Sequence, residues 1–146
     1  MRLVLASDHA GYELKEYLGR FLEESGHEVI DVGTHTDESV DYPDFGRKAA
    51  ELVSQGQVEA GILVCGTGVG MCVVANKIKG VRAALVTDVF VAAQSKRHVD
   101  TNCLVLGGQV TGKGLAREIV RVWLETPFEG GRHARRLQKI RELEHD

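Results

Sequence analysis

The stretch from Ala60 to Lys77 constrains this chain more than any other. Ala60-Gly61-Ile62-Leu63-Val64 is an apolar run of strand length, and Met71-Cys72-Val73-Val74-Ala75-Asn76-Lys77 reads as a helix. Between them lies Cys65-Gly66-Thr67-Gly68-Val69-Gly70. A strand therefore ends at Cys65, glycines make the turn, and a helix begins. Glycine lets the backbone turn sharply and keeps side chains out of a ligand's way. The free amides at the helix start are donors with the positive end of the helix dipole behind them. A cysteine at the mouth of such a turn feels that positive end, which lowers a thiol pKa and favours the thiolate. The stretch offers a candidate base or nucleophile beside donors for a developing oxyanion.

The rest of the chain repeats this alternation. Arg2 to Ala6 reads as a first strand, followed by the turn Ser7-Asp8-His9-Ala10-Gly11. Leu14, Tyr17, Leu18, Phe21 and Leu22 recur at helical spacing until Ser25-Gly26. Glu28 to Val32 is a second strand. Tyr42-Pro43 opens a helix with Phe45, Ala49, Leu52 and Val53 on one face. Val81 to Val86 is a fourth strand, and Thr87-Asp88 caps a helix reaching about His98. Asn102 to Leu106 is a fifth strand. Thr111 is the expected cap of a helix carrying Leu115, Ile119, Val122 and Trp123. A last helix, from about Arg132 to Glu144, carries Leu137, Ile140 and Leu143. Five strand–helix alternations plus one helix predict an α/β fold: a Rossmann-like three-layer sandwich with a five-stranded parallel sheet and an extra C-terminal helix. No repeat or linker divides residues 1–146, so one domain is expected. Ligands of open parallel sheets sit outside the carboxyl ends of the strands. The unusual residues are expected on that edge, His9 and His98 included.

Several function classes drop out. A net charge of -3 argues against a general nucleic-acid or membrane-surface binder. No apolar run approaches the roughly 20 residues that span a bilayer, and Leu3-Val4-Leu5-Ala6 is too short for a secretory core, so the cytosol is expected. Cys65, Cys72 and Cys103 show no C-x-x-C spacing, which disfavours a disulfide frame or a zinc site. Gly66-x-Gly68-x-Gly70 matches neither the dinucleotide fingerprint nor a P-loop. Buried cysteines are commonly small apolar residues, and Cys72 and Cys103 read that way; Cys65 differs by its place at a strand end. Arg132-His133-Ala134-Arg135-Arg136 sets positive charge at a helix N-terminus, against the dipole. Arg132 and Arg136, one turn apart, suit a shared phosphate, while Arg135 reads as a solvated face.

Taken together, Ser7-Asp8-His9-Ala10-Gly11, Asp41-Tyr42-Pro43, Cys65 to Gly70, Ala75-Asn76-Lys77, His98 with Asp100-Thr101-Asn102, and Gly130-Gly131-Arg132-His133 with Arg136 resemble the ribose-5-phosphate isomerase B family, which includes galactose-6-phosphate isomerase subunits. The resemblance implies an aldose–ketose isomerase without metal or organic cofactor, acting on a phosphorylated sugar. It places Cys65 at the catalytic base, Thr67 on the reacting oxygens and His98 at ring opening. It places Asp8, His9 and Tyr42 against the sugar, the amides of Gly66, Gly68, Val69 and Gly70 around the enediolate, and Arg132 and Arg136 on the phosphate. It also implies a homodimer or a dimer of dimers, with Cys65 and the two arginines of one site drawn from different subunits. Two substrate-binding positions depart from the family pattern: Val99 stands where many members have Asn, and Gln109 where many have Arg. The alternatives are another aldose phosphate, one subunit of a galactose-6-phosphate enzyme, or a non-catalytic phosphometabolite-binding module.

Overall fold

The structure, a computed structural model, describes residues 1–144. Five strands form one parallel sheet: β1 (Arg2–Ser7), β2 (Glu28–Asp31), β3 (Ala60–Cys65), β4 (Ala83–Leu85) and β5 (Cys103–Gly107), in the order β2-β1-β3-β5-β4. Six helices connect and follow them: α1 (Tyr12–Glu24), α2 (Tyr42–Ser54), α3 (Val69–Asn76), α4 (Val89–Val99), α5 (Lys113–Glu125) and α6 (Arg132–Arg141). The three-layer α/β architecture is the one the alternation predicts.

Period-two alternation sorts the central strands between two cores. Leu3, Leu5, Ile62, Val64, Leu104 and Leu106 face α1 and α5, meeting Leu14, Leu18, Ile119 and Trp123. Val4, Ala6, Leu63, Cys65, Cys103 and Val105 face α2 and α3, meeting Ala49, Val53, Met71 and Ala75. Each fully buried aliphatic side chain contributes about 1.5–3 kcal/mol. Lys15 is also fully buried; its ammonium pairs with Asp31 at the end of β2 and with Glu16 at 3.0 Å, tying α1 to the sheet edge.

Helix ends follow local chemistry. Asp88 caps α4 as expected, its Oδ1 accepting from Val91 N at 2.8 Å. At α5 the structure departs from the sequence reading. Thr111 is buried and its N–H donates to Gly107 O (2.9 Å), so Gly112 becomes the cap and the helix starts later. The buried face is Ala116, Ile119, Val120 and Trp123, and Leu115 is exposed. The last helix ends at Arg141 rather than Glu144. It packs on α4 rather than on the sheet, so Leu137 is buried while Ile140 and Leu143 are exposed.

Three residues from the family motifs prove to be scaffold. The Asn76 side chain binds the open edge of β4 as a strand would: Nδ2 donates to Ala83 O (3.0 Å) and Oδ1 accepts from Ala83 N (2.9 Å). Asn102 accepts from Arg82 N and donates to Gly80 O, holding the entry to β4. Thr101 Oγ1 accepts from Trp123 Nε1 (2.8 Å) and meets Ser95 Oγ at 3.0 Å, locking α4 to α5 in the core. Replacing Thr101 with Val strands a buried indole N–H. Thr101→Val is expected to lower stability by about 1–3 kcal/mol, read as a shifted midpoint in urea denaturation.

Candidate active site

The chain crosses from one side of the sheet to the other between β1 and β3, which makes their carboxyl ends the switch-point crevice. Two loops meet there. After β1, Asp8 is buried, and its Oδ1 accepts from Gly11 N (3.0 Å) across a 3-10 turn at His9–Gly11; Oδ2 has no partner among the described residues. His9 Nδ1 accepts from Val40 N (3.2 Å), which assigns the ring proton of a neutral His9 to Nε2. A cavity of about 340 Å³ opens beside His9, walled by Tyr12, Glu13, Asp37, Gly108 and Lys113.

Cys65 ends β3, is 4% exposed and faces the α2–α3 side of the sheet. The main-chain N–H groups of Gly66, Thr67 and Gly68 have no partner among the described residues. Gly68 caps α3 at φ 87°, and a side chain there would strike Leu85. Thr67 Oγ1 accepts from Val69 N (3.3 Å), so the Val69 amide is already engaged and the Thr67 hydroxyl hydrogen is free to donate. Tyr42, at the start of α2, lies over Gly70, where any Cβ would run into its ring. Gln109 donates its N–H to Gly66 O (2.9 Å), and its side-chain oxygen borders Gly66. Asp8, His9, Tyr42, Cys65 to Gly70 and Gln109 thus gather at the β1–β3 crevice.

His98, Val99, Arg132 and Arg136 do not join them. This corrects the expectation that His98 lies on the same edge as His9. From its start beside the carboxyl end of β4, α4 runs back for 11 residues, about 16 Å, to the edge where β5 begins. His98 is in its last turn. Arg82, just before β4, binds the carbonyls of Val99 and Asp100 there. The 98 and 133 rings stack at 4.2 Å between centroids and 11° between planes. Burial pushes His133 below the ordinary imidazole range, and the charges of His98 and Arg132 add to this. Arg132 and Arg136 are exposed at the N-terminal end of α6, with no carboxylate partner among the described residues.

Glu129, which the sequence reading passed over, sits beside this pair: Oε1 is 3.7 Å from His98 Nε2 and 3.5 Å from His133 Nε2. Its only signal was its place directly before the Gly-Gly-Arg-His motif. His98, Glu129 and His133 bring their donor atoms within 4.8 Å of one another and are therefore the group to weigh as a metal site. Zinc bonds of about 2.0–2.1 Å hold tetrahedral ligand atoms about 3.3 Å apart. Near-parallel rings do not converge their lone pairs on one point, and two guanidinium groups add positive charge. The geometry fits imidazoles sharing a carboxylate better than a cation.

The chain thus sets a thiol and open amides at the switch point and a histidine–arginine group elsewhere on the same fold. Comparison with known proteins defines the class: a sugar-phosphate isomerase of the aldose–ketose type. The chain belongs to the ribose/galactose isomerase family, whose profile matches residues 3–140. It is 43% identical over 143 residues to ribose-5-phosphate isomerase B of Escherichia coli, covering 98% of this chain and 96% of that protein. It is 41% identical over 129 residues to a galactose-6-phosphate isomerase subunit of Clostridium acetobutylicum, covering 88% and 75%. The solved structure of ribose-5-phosphate isomerase B from Clostridium thermocellum is 51% identical, with a TM-score of 0.97 over 98% of this chain and 97% of that one.

The three thiols separate by environment. Burial pushes Cys103 up to about 12, and burial also raises the half-buried Cys72. Alkylation of the native protein at about pH 8, near an ordinary thiol pKa, is expected to leave Cys103 unmodified until the chain is unfolded, as peptide mass mapping would show.

Proposed function

We propose that this chain interconverts ribose 5-phosphate and ribulose 5-phosphate through an enediolate. One observation carries the reading: Cys65 closes β3 at the switch point, directly before three main-chain amides that have no other partner among the described residues. The Cys65 thiolate takes the proton from C2 of the open-chain aldose and returns it to C1. The open amides of Gly66, Thr67 and Gly68 hold the oxygen that becomes negative, and one such donor is worth about 2.7–4 kcal/mol. Thr67 donates its free hydroxyl hydrogen to the reacting oxygens. Asp8 offers Oδ2 to a sugar hydroxyl, and His9 offers Nε2–H. His98 opens the furanose ring by proton transfer, a task suited to an imidazole. Arg132 and Arg136 grip the phosphate, whose charge relieves their placement at a helix N-terminus.

The two groups act together in a homodimer. The crevice of one subunit receives His98, Arg132 and Arg136 from its partner, because in one chain they lie toward opposite edges of the sheet. Val69 and Val73 of α3 and Phe90 of α4 are more than half exposed and supply apolar surface for such a contact. A dimer of dimers extends the same arrangement. The reading needs no metal or organic cofactor and no nucleic-acid or membrane partner. Among the described residues no helix is long and apolar enough to cross a membrane; the proposed place of action is the cytosol.

The E. coli and C. thermocellum relatives support ribose 5-phosphate as substrate. Gln109 favours a second reading within the same class, another aldose phosphate, because a neutral amide stands beside Gly66 where the family resemblance implies a cation. A panel of four- to six-carbon aldose phosphates, followed by ketose formation, decides between them. Ribose 5-phosphate is expected to give the highest kcat/KM, and Cys65→Ala to lose at least about 10²-fold. Near-normal turnover in the variant would remove Cys65 from the chemistry, and tight binding without turnover would favour a binding module or a missing partner subunit. Arg136→Ala is expected to raise KM for the phosphorylated sugar with kcat little changed; an unchanged KM places the phosphate elsewhere.

A further inference from the structure

His133 is 4% exposed, and its Nε2 has no hydrogen-bond partner among the described residues. The His98 ring lies flat on it, at 4.2 Å between centroids. Glu129 brings one oxygen, Oε1, to both Nε2 atoms, at 3.7 and 3.5 Å. A carboxylate near guanidinium groups ordinarily pairs with them in bidentate fashion. Glu129 does not: Arg132 and Arg136 lack a carboxylate partner among the described residues, and the acid faces the imidazoles. Cations are left open for an anion, while the acid is spent on the histidine pair.

We propose that Glu129 is a positioning residue for His98. Its carboxylate gathers the two Nε2 atoms, and the buried His133 ring is the wall against which the plane of His98 is set. Separations of 3.5–3.7 Å exceed a hydrogen bond, and such contacts commonly tighten when substrate closes a site. The backbone serves the same end. Glu129 N donates to Arg97 O at 3.1 Å, which pins the loop before α6 to the last turn of α4, next to His98. That bond is independent of the side chain, so a substitution at position 129 reports on the carboxylate and leaves the loop tethered.

The inference rests on the ring-opening role of His98, and two substrates separate the two ideas. Ribose 5-phosphate closes a furanose ring; a tetrose 4-phosphate cannot, because the oxygen that would close it carries the phosphate. Glu129→Gln is expected to lower kcat on ribose 5-phosphate by about tenfold to a hundredfold, the scale of a mispositioned catalytic group. KM should stay within about twofold, since the phosphate grip is untouched, and turnover of the tetrose phosphate should change by less than about twofold. Glu129→Asp should recover part of the loss. His98→Asn, run beside it, should show the same preference for the ring-forming substrate. If His98→Asn is selective and Glu129→Gln is not, or is without effect, the positioning role is overturned while ring opening stands. If His98→Asn affects both substrates equally, the ring-opening role fails and the inference fails with it.

Discussion

In a sheet whose strands all run one way, every strand-following loop emerges at one edge, and each connecting helix returns its C-terminus to the other. This polarity organises the functional groups here. Asp8, His9, Cys65 and Thr67 follow strands and collect at the β1–β3 switch point. His98 ends a returning helix, and α6 begins beside it, so the imidazoles and arginines collect toward the opposite edge. Burial of β1, β3 and β5 on both faces fixes the separation. Both faces of these strands are buried, so no local rearrangement brings the two groups of one chain together without breaking a core.

Each group is prepared differently. The crevice is built from backbone: a left-handed Gly68, a Gly70 overlain by Tyr42, and amides without partners among the described residues. It needs little beyond strand ends that stay where the sheet puts them. The second group is built from side chains: stacked imidazoles, a carboxylate beside both Nε2 atoms, and arginines without acid partners among the described residues. Its support is correspondingly elaborate. Arg82 binds the last carbonyls of α4, and Trp123, Thr101 and Ser95 anchor the same helix from inside.

Much of this was legible in the sequence where one local rule governed the outcome. Strand–helix alternation, the glycine turn after Cys65 and the Asp88 cap depend on neighbours along the chain, and each appears where the pattern put it. Thr111 was misread because a cap-forming hydroxyl was judged without knowing that its own N–H would be claimed by Gly107. Leu137, Ile140 and Leu143 were placed on one face of the last helix, but helical spacing shows a face and not what covers it, and Leu137 alone of the three is buried. Motif resemblance located Asn76, Thr101 and Asn102 but could not separate chemistry from support; their hydrogen bonds place them in the scaffold. Glu129 carried no pattern of its own, since its partners His98 and His133 lie far upstream and one turn downstream and meet only once α6 folds onto α4.

The Asn76 side chain has a wider consequence. An unpaired strand edge is a template on which another chain can add a strand. At β4 that template is occupied by an amide of the protein itself, which matches the donor and acceptor of Ala83 one for one. On this side the edge is blocked at Ala83 by the chain's own side chain. A side-chain amide thus stands where a neighbouring strand would otherwise bind, and the edge is guarded against strand addition without a proline, a bulge or a charge.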